Sequence, residues 1–239
     1  MKISIIIPVY NEVHSLRELL ERVLAAPLPS GCTKEIIIVD DGSTDGTAQI
    51  VDEYTRHGIV IGHLSGINGG KGAAIRCGLE LVRGEMVLIQ DGDLEYDPSD
   101  YCKMIGPLFT RQADVVYGSR FRGDPKGMSF RSLIANKALT FLANALYGAG
   151  ITDEATGYKA FRADVLKGLG LRCRRFEFCP EVTAKLRRVG YRIHEVPISY
   201  HARRIAEGKK IGARDGLAAV MALVKYRFVS LAKISGQFH

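Results

Sequence analysis

The sequence has few of the features that cross-link, anchor or export a chain. Cysteine occurs five times among 239 residues, an odd count with no C-x-x-C spacing. This argues against a disulfide framework and a structural zinc site, and favours free thiols in a reducing compartment. No stretch offers 18 uncharged apolar residues, so no membrane-spanning helix is expected. The apolar run at the amino terminus is too short for a signal peptide, and no small-residue cleavage site follows it.

Several nucleotide and ion motifs are missing as well. Residues 68–72 read Asn-Gly-Gly-Lys-Gly, but the P-loop pattern fails because its first glycine would fall at Ser65 and Gly72 replaces the Ser or Thr. A helix that begins beside Lys71 still favours an anion, although a plain loop-to-helix turn fits equally well. The interleaved aromatic residues of a base-stacking platform are absent, so nucleic acid is not an expected partner.

Basic residues, in contrast, are in excess. The formal net charge is +7, and such a surplus favours partners that carry phosphate groups or an anionic membrane face. Hydrophobic residues make up 46% of the chain, which is long enough to bury a core without cross-links.

The order of the predicted elements indicates an α/β fold. Apolar, β-rich runs alternate with helical patterns, which predicts a mostly parallel, Rossmann-like sheet with helices on both faces. The carboxyl ends of parallel strands share one edge, where ligands bind in such folds. Polar residues follow the strands at that edge. The predicted strands are residues 3–9, 36–39, 59–64, 86–90 and 114–117, and the predicted helices are residues 13–24, 47–56 and 70–83.

The second half is less regular and ends in a helical extension. We expect one domain over residues 1–214 and an amphipathic tail over residues 215–239. Contact with a membrane face is one interpretation of this tail, and core packing or a homodimer contact is the other. The predicted elements are a polar loop at residues 123–130, helices at 132–147, 177–189 and 216–234, a strand at 193–200 and a basic segment at 203–214.

Residues 91–95 read Asp-Gly-Asp-Leu-Glu and follow a hydrophobic strand. In an extended segment, Asp91, Asp93 and Glu95 would share a face and converge on one ion. Carboxylate oxygens suit Mg²⁺ or Mn²⁺, which leave positions for substrate phosphates. Gly92 would allow a close approach of backbone or ligand. A solvated acidic turn is the alternative.

Other strand ends carry candidate ligands too. Asp40 and Asp41 end the second strand, where a carboxylate can accept hydrogen bonds from a base or ribose, or belong to a helix-capping turn. Tyr10 and Glu12 end the first strand and could contact a nucleoside. Arg120 and Arg131 flank the predicted polar loop. Paired arginines suit a phosphate, although an isolated surface arginine is the simpler interpretation of each.

Together these pieces resemble family 2 glycosyltransferases of the GT-A fold. Within that family they are most similar to the polyprenyl-phosphate (dolichyl-phosphate) hexosyltransferases, a group that includes the dolichol-phosphate mannose synthases. Seven motifs in this order, over about residues 1–214, carry the resemblance. They are residues 7–12 (Ile-Pro-Val-Tyr-Asn-Glu), 38–43 (Ile-Val-Asp-Asp-Gly-Ser), 68–72, 90–93 (Gln-Asp-Gly-Asp), 118–120 (Gly-Ser-Arg), 156–159 (Thr-Gly-Tyr-Lys) and the basic stretch 204–210.

The resemblance implies a role for each matched residue. A nucleotide-sugar donor would be held at the strand ends, a divalent metal beside its diphosphate, and a lipid phosphate at the arginines. The nucleoside ligands would be Pro8, Tyr10, Glu12, Val39, Asp40 and Asp41; the diphosphate ligands Lys71, Asp91, Gly92, Asp93, Arg204 and Lys210; the metal ligands Asp91, Asp93 and Glu95; and the catalytic residues Asp91, Asp93, Arg120 and Arg131. The family often has Ala at position 92 and Gln at position 95, so Glu95 is the weakest ligand.

The implied reaction is an inverting transfer of a hexose, mannose or glucose, from GDP-mannose or UDP-glucose. A phosphate-monoester acceptor is already ionised near neutral pH and needs no strong general base, which favours a polyprenyl phosphate. A soluble or glycan hydroxyl acceptor would need a carboxylate base, and no residue is identified uniquely for that role. We therefore expect a cytoplasmic protein on the cytoplasmic membrane face, in peripheral contact with anionic lipid.

Overall fold

The computed structural model describes residues 1–203 and 212–230, which form a seven-stranded sheet with helices on both faces. The order of strands across the sheet is β3-β2-β1-β4-β6-β5-β7. The strands are β1 (Lys2–Val9), β2 (Thr33–Asp40), β3 (Ile61–Leu64), β4 (Met86–Ile89), β5 (Val115–Lys126), β6 (Lys159–Arg162) and β7 (His194–His201). The helices are α1 (Leu16–Ala25), α2 (Thr47–Arg56), α3 (Lys71–Glu80), α4 (Tyr101–Phe109), α5 (Phe130–Tyr147), α6 (Ala163–Gly168), α7 (Phe178–Arg188) and α8 (Ala213–Phe228).

The predicted α/β fold is confirmed. β1 pairs in parallel with β2 and β4, β2 with β3, and β5 with β7, whereas β6 runs antiparallel to both of its neighbours. Every residue of β1 after Lys2 is buried, as its run of β-branched residues predicts for a central strand. Alternate side chains of β1 enter different cores, because Ile5 and Ile7 face α1 and α4 while Ile6 faces α3.

A third apolar cluster joins the carboxyl-terminal helix to the domain. Ala143 of α5, Ala184 of α7 and Leu223 of α8 are buried together. The Tyr226 hydroxyl donates to the carboxylate of Glu181 at 2.8 Å, which ties α8 to α7. Within the described parts of the chain, no helix combines the length and apolar composition needed to cross a bilayer. The domain boundary after residue 214 stays a prediction.

The structure differs from the sequence-based elements at three places. Residues 123–126 are not loop but the end of β5, because a bulge after Ser119 lets the strand continue and pair again with β7. The prediction that the strand ends at residue 117 is therefore wrong. α1 begins at Leu16, three residues after the predicted start at residue 13, because residues 13–15 form a turn. α4, α6 and β6 were not predicted.

Candidate active site

One large cavity lies at the carboxyl ends of the central strands. Its volume is about 1220 Å³, and it extends from the ends of β1 and β4 to α5 and α8. Eleven of the predicted site residues line it, so the topology brings together groups that lie up to 123 positions apart in the sequence (131 − 8). These eleven are Pro8, Tyr10, Glu12, Asp41, Lys71, Asp91, Gly92, Asp93, Glu95, Arg120 and Arg131.

Two other predicted ligands, Val39 and Asp40, are not in this lining, and two more lie outside the described residues. Val39 is fully buried in the core beneath the cavity, and Asp40 is 2% exposed. The Asp40 carboxylate accepts a hydrogen bond from the Ser43 backbone N–H at 3.1 Å through one oxygen, as in a turn. Its other oxygen is buried with no hydrogen-bond partner among the described residues. Arg204 and Lys210 lie outside the residues that the structure describes.

The three carboxylates after β4 have different surroundings. Asp91 forms an ion pair with Lys71, with Oδ1 and Nζ 2.5 Å apart. Glu95 accepts hydrogen bonds from the Tyr200 hydroxyl at 3.0 Å and from the backbone N–H of Arg203 at 2.7 Å, so both of its oxygens are engaged. The carboxylate of Asp93 is held only loosely by a cation, since the nearest one in residues 1–203 and 212–230, Arg203 Nε, is 3.9 Å away.

The electrostatics around Asp93 fit a divalent cation. Burial, together with the charges of Asp91 and Glu95, raises the pKa of Asp93 to about 7. A bound cation would offset this crowding of negative charge, and carboxylate oxygen is the ligand type that Mg²⁺ and Mn²⁺ prefer. In residues 1–203 and 212–230, no group of three His, Cys, Asp or Glu side chains forms a complete set of ligands. A metal ion here would therefore take other ligands from substrate oxygens or water.

Gly92 is required by the close contact of two strand ends. A Cβ atom at this position would lie 2.7 Å from Cγ1 of Val9 and 2.9 Å from the carbonyl oxygen of Pro8. Such distances are well inside van der Waals contact. The glycine between the two aspartates thus allows the segment after β4 to pack against the end of β1, which holds Asp91 and Asp93 at the edge of the sheet.

The glycine-rich segment before α3 is held by carboxylate and carbonyl groups. Asp41 accepts hydrogen bonds from the N–H groups of Gly69 and Gly70, at 2.8 and 2.7 Å. The next two N–H groups after Lys71 are also occupied. Those of Gly72 and Ala73 donate to backbone carbonyl oxygens of the segment before α7, at 3.1 and 2.8 Å. These four hydrogen bonds fix the turn that leads into α3.

Arg203 is a cavity residue that sequence reasoning did not identify individually. Its guanidinium group binds both carboxylate oxygens of Glu12, one N–O distance being 3.1 Å and the other 2.5 Å. Glu12 also accepts a hydrogen bond from the Ser15 hydroxyl at 2.5 Å. The only signal for Arg203 in the sequence was its place in the basic segment, because its partner lies 191 residues earlier.

The two predicted phosphate arginines differ in exposure. Arg120 is 5% exposed and donates two hydrogen bonds of 2.7 Å to the carboxylate of Asp153. Sequence reasoning did not identify Asp153. Arg131 lies in the first turn of α5, is exposed, and lines the same cavity. Of the two guanidinium groups, that of Arg131 is the more accessible to an incoming anion.

The end of the cavity opposite the acidic cluster is apolar. It lies between α5 and α8 and is lined by Leu139, Phe141 and Leu142 on one side and by Ala219 and Val220 on the other. A single cavity therefore joins a strongly acidic end, an accessible cation and an apolar groove.

Comparison with known proteins identifies relatives over most of the chain. Residues 4–170 match the sequence model of glycosyl transferase family 2. An undecaprenyl-phosphate mannosyltransferase of Micrococcus luteus is 33% identical over 234 residues, covering 92% of each chain. A dodecaprenyl-phosphate galacturonate synthase of Rhizobium johnstonii is 30% identical, covering 95% of this chain and 68% of the relative.

The fold is also found among solved structures. The crystal structure of glucosyl-3-phosphoglycerate synthase from Mycobacterium tuberculosis, in complex with Mn²⁺, uridine diphosphate and glucosyl-3-phosphoglycerate, superimposes with a TM-score of 0.72. Sequence identity is 20%, and the match covers 96% of this chain and 81% of that one. At this level of identity the likeness identifies the fold, which is the GT-A fold expected from the sequence.

Proposed function

This chain belongs to glycosyl transferase family 2, and we propose that it transfers a hexose from a nucleotide-sugar to a polyprenyl phosphate. The reaction inverts the anomeric centre and depends on Mg²⁺ or Mn²⁺. Two relatives that cover most of the chain carry polyprenyl-phosphate acceptors in their names, which supports this acceptor class. Their sugars differ, mannose in one and galacturonate in the other. Mannose and glucose, carried by GDP or UDP, are the donors we propose to test first.

The observation that carries the proposal is the composition of the cavity. A nucleotide-sugar needs hard-cation ligands for its diphosphate, and a lipid phosphate needs a cation beside an apolar channel. Asp93 supplies the ligand for the metal cation, Arg131 supplies the positive charge for the lipid phosphate, and the groove between α5 and α8 supplies the apolar channel. The apolar groove beside Arg131 offers a place for the hydrocarbon chain of a lipid phosphate, which a soluble sugar does not have.

The donor end of the site would use the residues after β1 and β4. Pro8 and Tyr10 line the cavity where a nucleoside would lie, and Asp93 would hold the metal with substrate oxygens completing its coordination. The metal would supply charge neutralisation for the departing nucleoside diphosphate. Arg204 and Lys210 are proposed to add positive charge to the same diphosphate, as the family resemblance implies.

The transfer itself requires one bond to form and one to break. An oxygen of the acceptor phosphate attacks the anomeric carbon, while the bond from that carbon to the donor diphosphate breaks and its electron pair leaves with the nucleoside diphosphate. Arg131, and Arg120 behind it, would hold the acceptor phosphate in line for this attack. A phosphate monoester is already anionic near neutral pH, so no side chain has to remove a proton.

The surface around the apolar groove fits a protein that lies on a membrane. Exposed apolar residues continue along α5 and α8, and basic residues flank them, among them Lys137, Arg214, Lys225 and Arg227. Anionic headgroups attract such basic residues, and the apolar side chains enter the boundary of the acyl region. We propose peripheral contact with the cytoplasmic face. The exposed apolar residues are Phe130, Ile134, Phe141, Leu217, Val220, Met221, Val224 and Phe228.

The proposal is tested by an assay with radiolabelled GDP-mannose and UDP-glucose, each offered with polyprenyl phosphate and Mn²⁺. Label that enters the organic phase with one donor, and stays in water for Asp93→Asn, supports it. Label that stays in water for every donor would contradict the lipid acceptor. A parallel series with glycan acceptors then distinguishes transfer to a hydroxyl group from the absence of transferase activity.

A further inference from the structure

Three separate motifs meet at the ion pair between Lys71 and Asp91. Lys71 is the first residue of α3, and Asp91 follows β4; both side chains are 18% exposed. Burial lowers the pKa of Lys71, but the charge and hydrogen bond of Asp91, with the charges of Cys179 and Asp93, together hold that pKa above its ordinary value. The third motif contributes Gly157, whose backbone lies directly against the pair.

Gly157 leaves the space that the ion pair occupies. A Cβ atom at position 157 would lie 2.5 Å from Oδ2 of Asp91 and 2.9 Å from Nζ of Lys71. The backbone at Gly157 cannot easily retreat, since its N–H donates to the Tyr96 hydroxyl at 3.0 Å and the ring of Tyr96 stacks on Tyr158 with centroids 5.2 Å apart. The backbone of Gly157 is thus held in place, and the side chains of Lys71 and Asp91 pack against it.

The surroundings of Lys71 argue against a direct role in binding phosphate. The N–H groups of Gly69 and Gly70 are bound to Asp41, and those of Gly72 and Ala73 to carbonyl oxygens, so four of the donors that a phosphate cradle would use are already occupied by the protein. The ammonium group is already bound to Asp91 at 2.5 Å. The side chain of Lys71 therefore contacts the carboxylate of Asp91 on one side and the backbone of Gly157 on another.

From this arrangement we infer that Lys71 is a positioning residue, which fixes the orientation of Asp91 against Gly157 and so leaves Asp93 as the carboxylate open to the metal. This inference rests on the proposed function, because it concerns the metal–nucleotide end of that site. It also explains the glycine of the Thr-Gly-Tyr-Lys motif. Gly157 leaves room for the ion pair and influences the metal site through that pair, without contacting a ligand itself.

A double-mutant cycle tests the inference by binding alone, without the acceptor. Dissociation constants of GDP and UDP are measured with Mn²⁺ and with chelator for wild type, Lys71→Met, Asp91→Asn and the double variant. Groups that orient a metal site typically contribute 10- to 100-fold to metal affinity, so we expect Lys71→Met to weaken Mn²⁺-dependent binding by about that factor. In the Asp91→Asn background the same change should have no further effect.

Two further variants keep the test interpretable. Gly157→Ala retains both charges but displaces the pair, and should weaken Mn²⁺-dependent binding as Lys71→Met does. Lys2→Met is the matched control, because Lys2 pairs with Glu35 at 3.7 Å at the opposite end of β1. It should bind as wild type does, and thermal unfolding checks that every variant is folded.

The outcomes separate this inference from the proposed function. An equal loss for Lys71→Met in both backgrounds, or a loss that persists in chelator, would indicate direct phosphate contact and overturn the inference alone. Wild-type affinity in Gly157→Ala would overturn it too. A wild-type protein that binds neither nucleotide would overturn the proposed function, and the inference with it.

Discussion

At the scale of single residues, the cavity is organised by pairs in which one partner limits what the other can do. Lys71 is bound to Asp91, Arg203 to Glu12, and Arg120 to Asp153. The sequence predicted both members of the first pair as site residues, and Glu12 and Arg120 of the other two pairs. Which groups pair with each other could not be predicted. A Lys or Arg that binds a protein carboxylate looks the same in the sequence as one that binds a substrate phosphate.

Glu154 predicts a pH dependence of stability. Its side chain is fully buried, neither carboxylate oxygen has a hydrogen-bond partner among the described residues, and burial raises the pKa to about 8. In the unfolded chain the carboxyl ionises near its ordinary value of 4.5. A pKa that is raised on folding contributes stability below the unfolded value and loses it as pH rises to the folded one. The free energy of unfolding should therefore fall between about pH 4.5 and pH 8, by a few kcal/mol at most.

Urea unfolding at pH 5, 6.5 and 8 measures this fall. In Glu154→Gln the side chain no longer ionises, so the curve of unfolding free energy against pH should be flatter than that of wild type. Glu18→Gln, at an exposed position of α1, is the control and should leave the slope unchanged. Parallel curves for wild type and Glu154→Gln would show that Glu154 does not ionise within this range.

Gly92 gives a second prediction at this scale. Gly92→Ala should lower the free energy of unfolding by about 1–3 kcal/mol, because a rigid backbone oxygen at 2.9 Å cannot move aside for the new Cβ. Gly216→Ala is the matched control. Position 216 lies inside α8 with no atom within 4 Å of the added Cβ, so the change should raise stability by about 0.5–1 kcal/mol through helix propensity. Equal effects of the two variants in urea unfolding would contradict the steric argument.

At the scale of elements, the sequence predicted best those helices and strands whose apolar residues recur with a clear helical or strand spacing. The buried run of β1 and the helical stripe of α2 were predicted within a few residues of their bounds. α4 was missed, since Pro107 within it reads as a helix breaker, and β6 was missed because four residues between a turn and a helix carry no period. The carboxyl-terminal part of β5 was missed because Gly123 and Pro125 indicate a loop, whereas here they follow a bulge.

The exposed stripe of α8 predicts membrane binding that is separable from stability. Met221 and Phe228 are 62% and 82% exposed, so replacing both by Ser should leave the melting temperature nearly unchanged. Binding to vesicles with anionic lipid should weaken, because apolar area that enters the bilayer is lost. Sedimentation with vesicles measures the change. Ile59→Ser, at a 42% exposed apolar residue beyond α2, is the control, and an equal loss of binding there would refute the assignment of this face.

At the scale of the whole molecule, the fold and the acidic end of the site could be predicted from the sequence, while the apolar end could not. Motifs at the ends of parallel strands converge by topology alone, so Tyr10, Asp41 and Asp93 were predictable neighbours. The groove depends on how α8 packs against α5, through contacts between residues nearly 80 positions apart such as Ala143 and Leu223. No local pattern fixes such a contact.

Removal of the divalent metal should therefore weaken nucleotide binding at the strand ends and leave membrane binding through α5 and α8 unchanged. The protein carries a formal charge of +7, yet Asp91, Asp93 and Glu95 concentrate negative charge where a diphosphate would have to bind. Without a divalent cation these carboxylates repel the ligand, so GDP or UDP should raise the melting temperature with Mn²⁺ and not with chelator. A ligand at 100 times its dissociation constant adds about 2.7 kcal/mol of stability, enough for a shift of a few degrees. Vesicle binding through α5 and α8 should be unchanged by chelator, and a parallel loss of both would contradict a metal site confined to the strand ends.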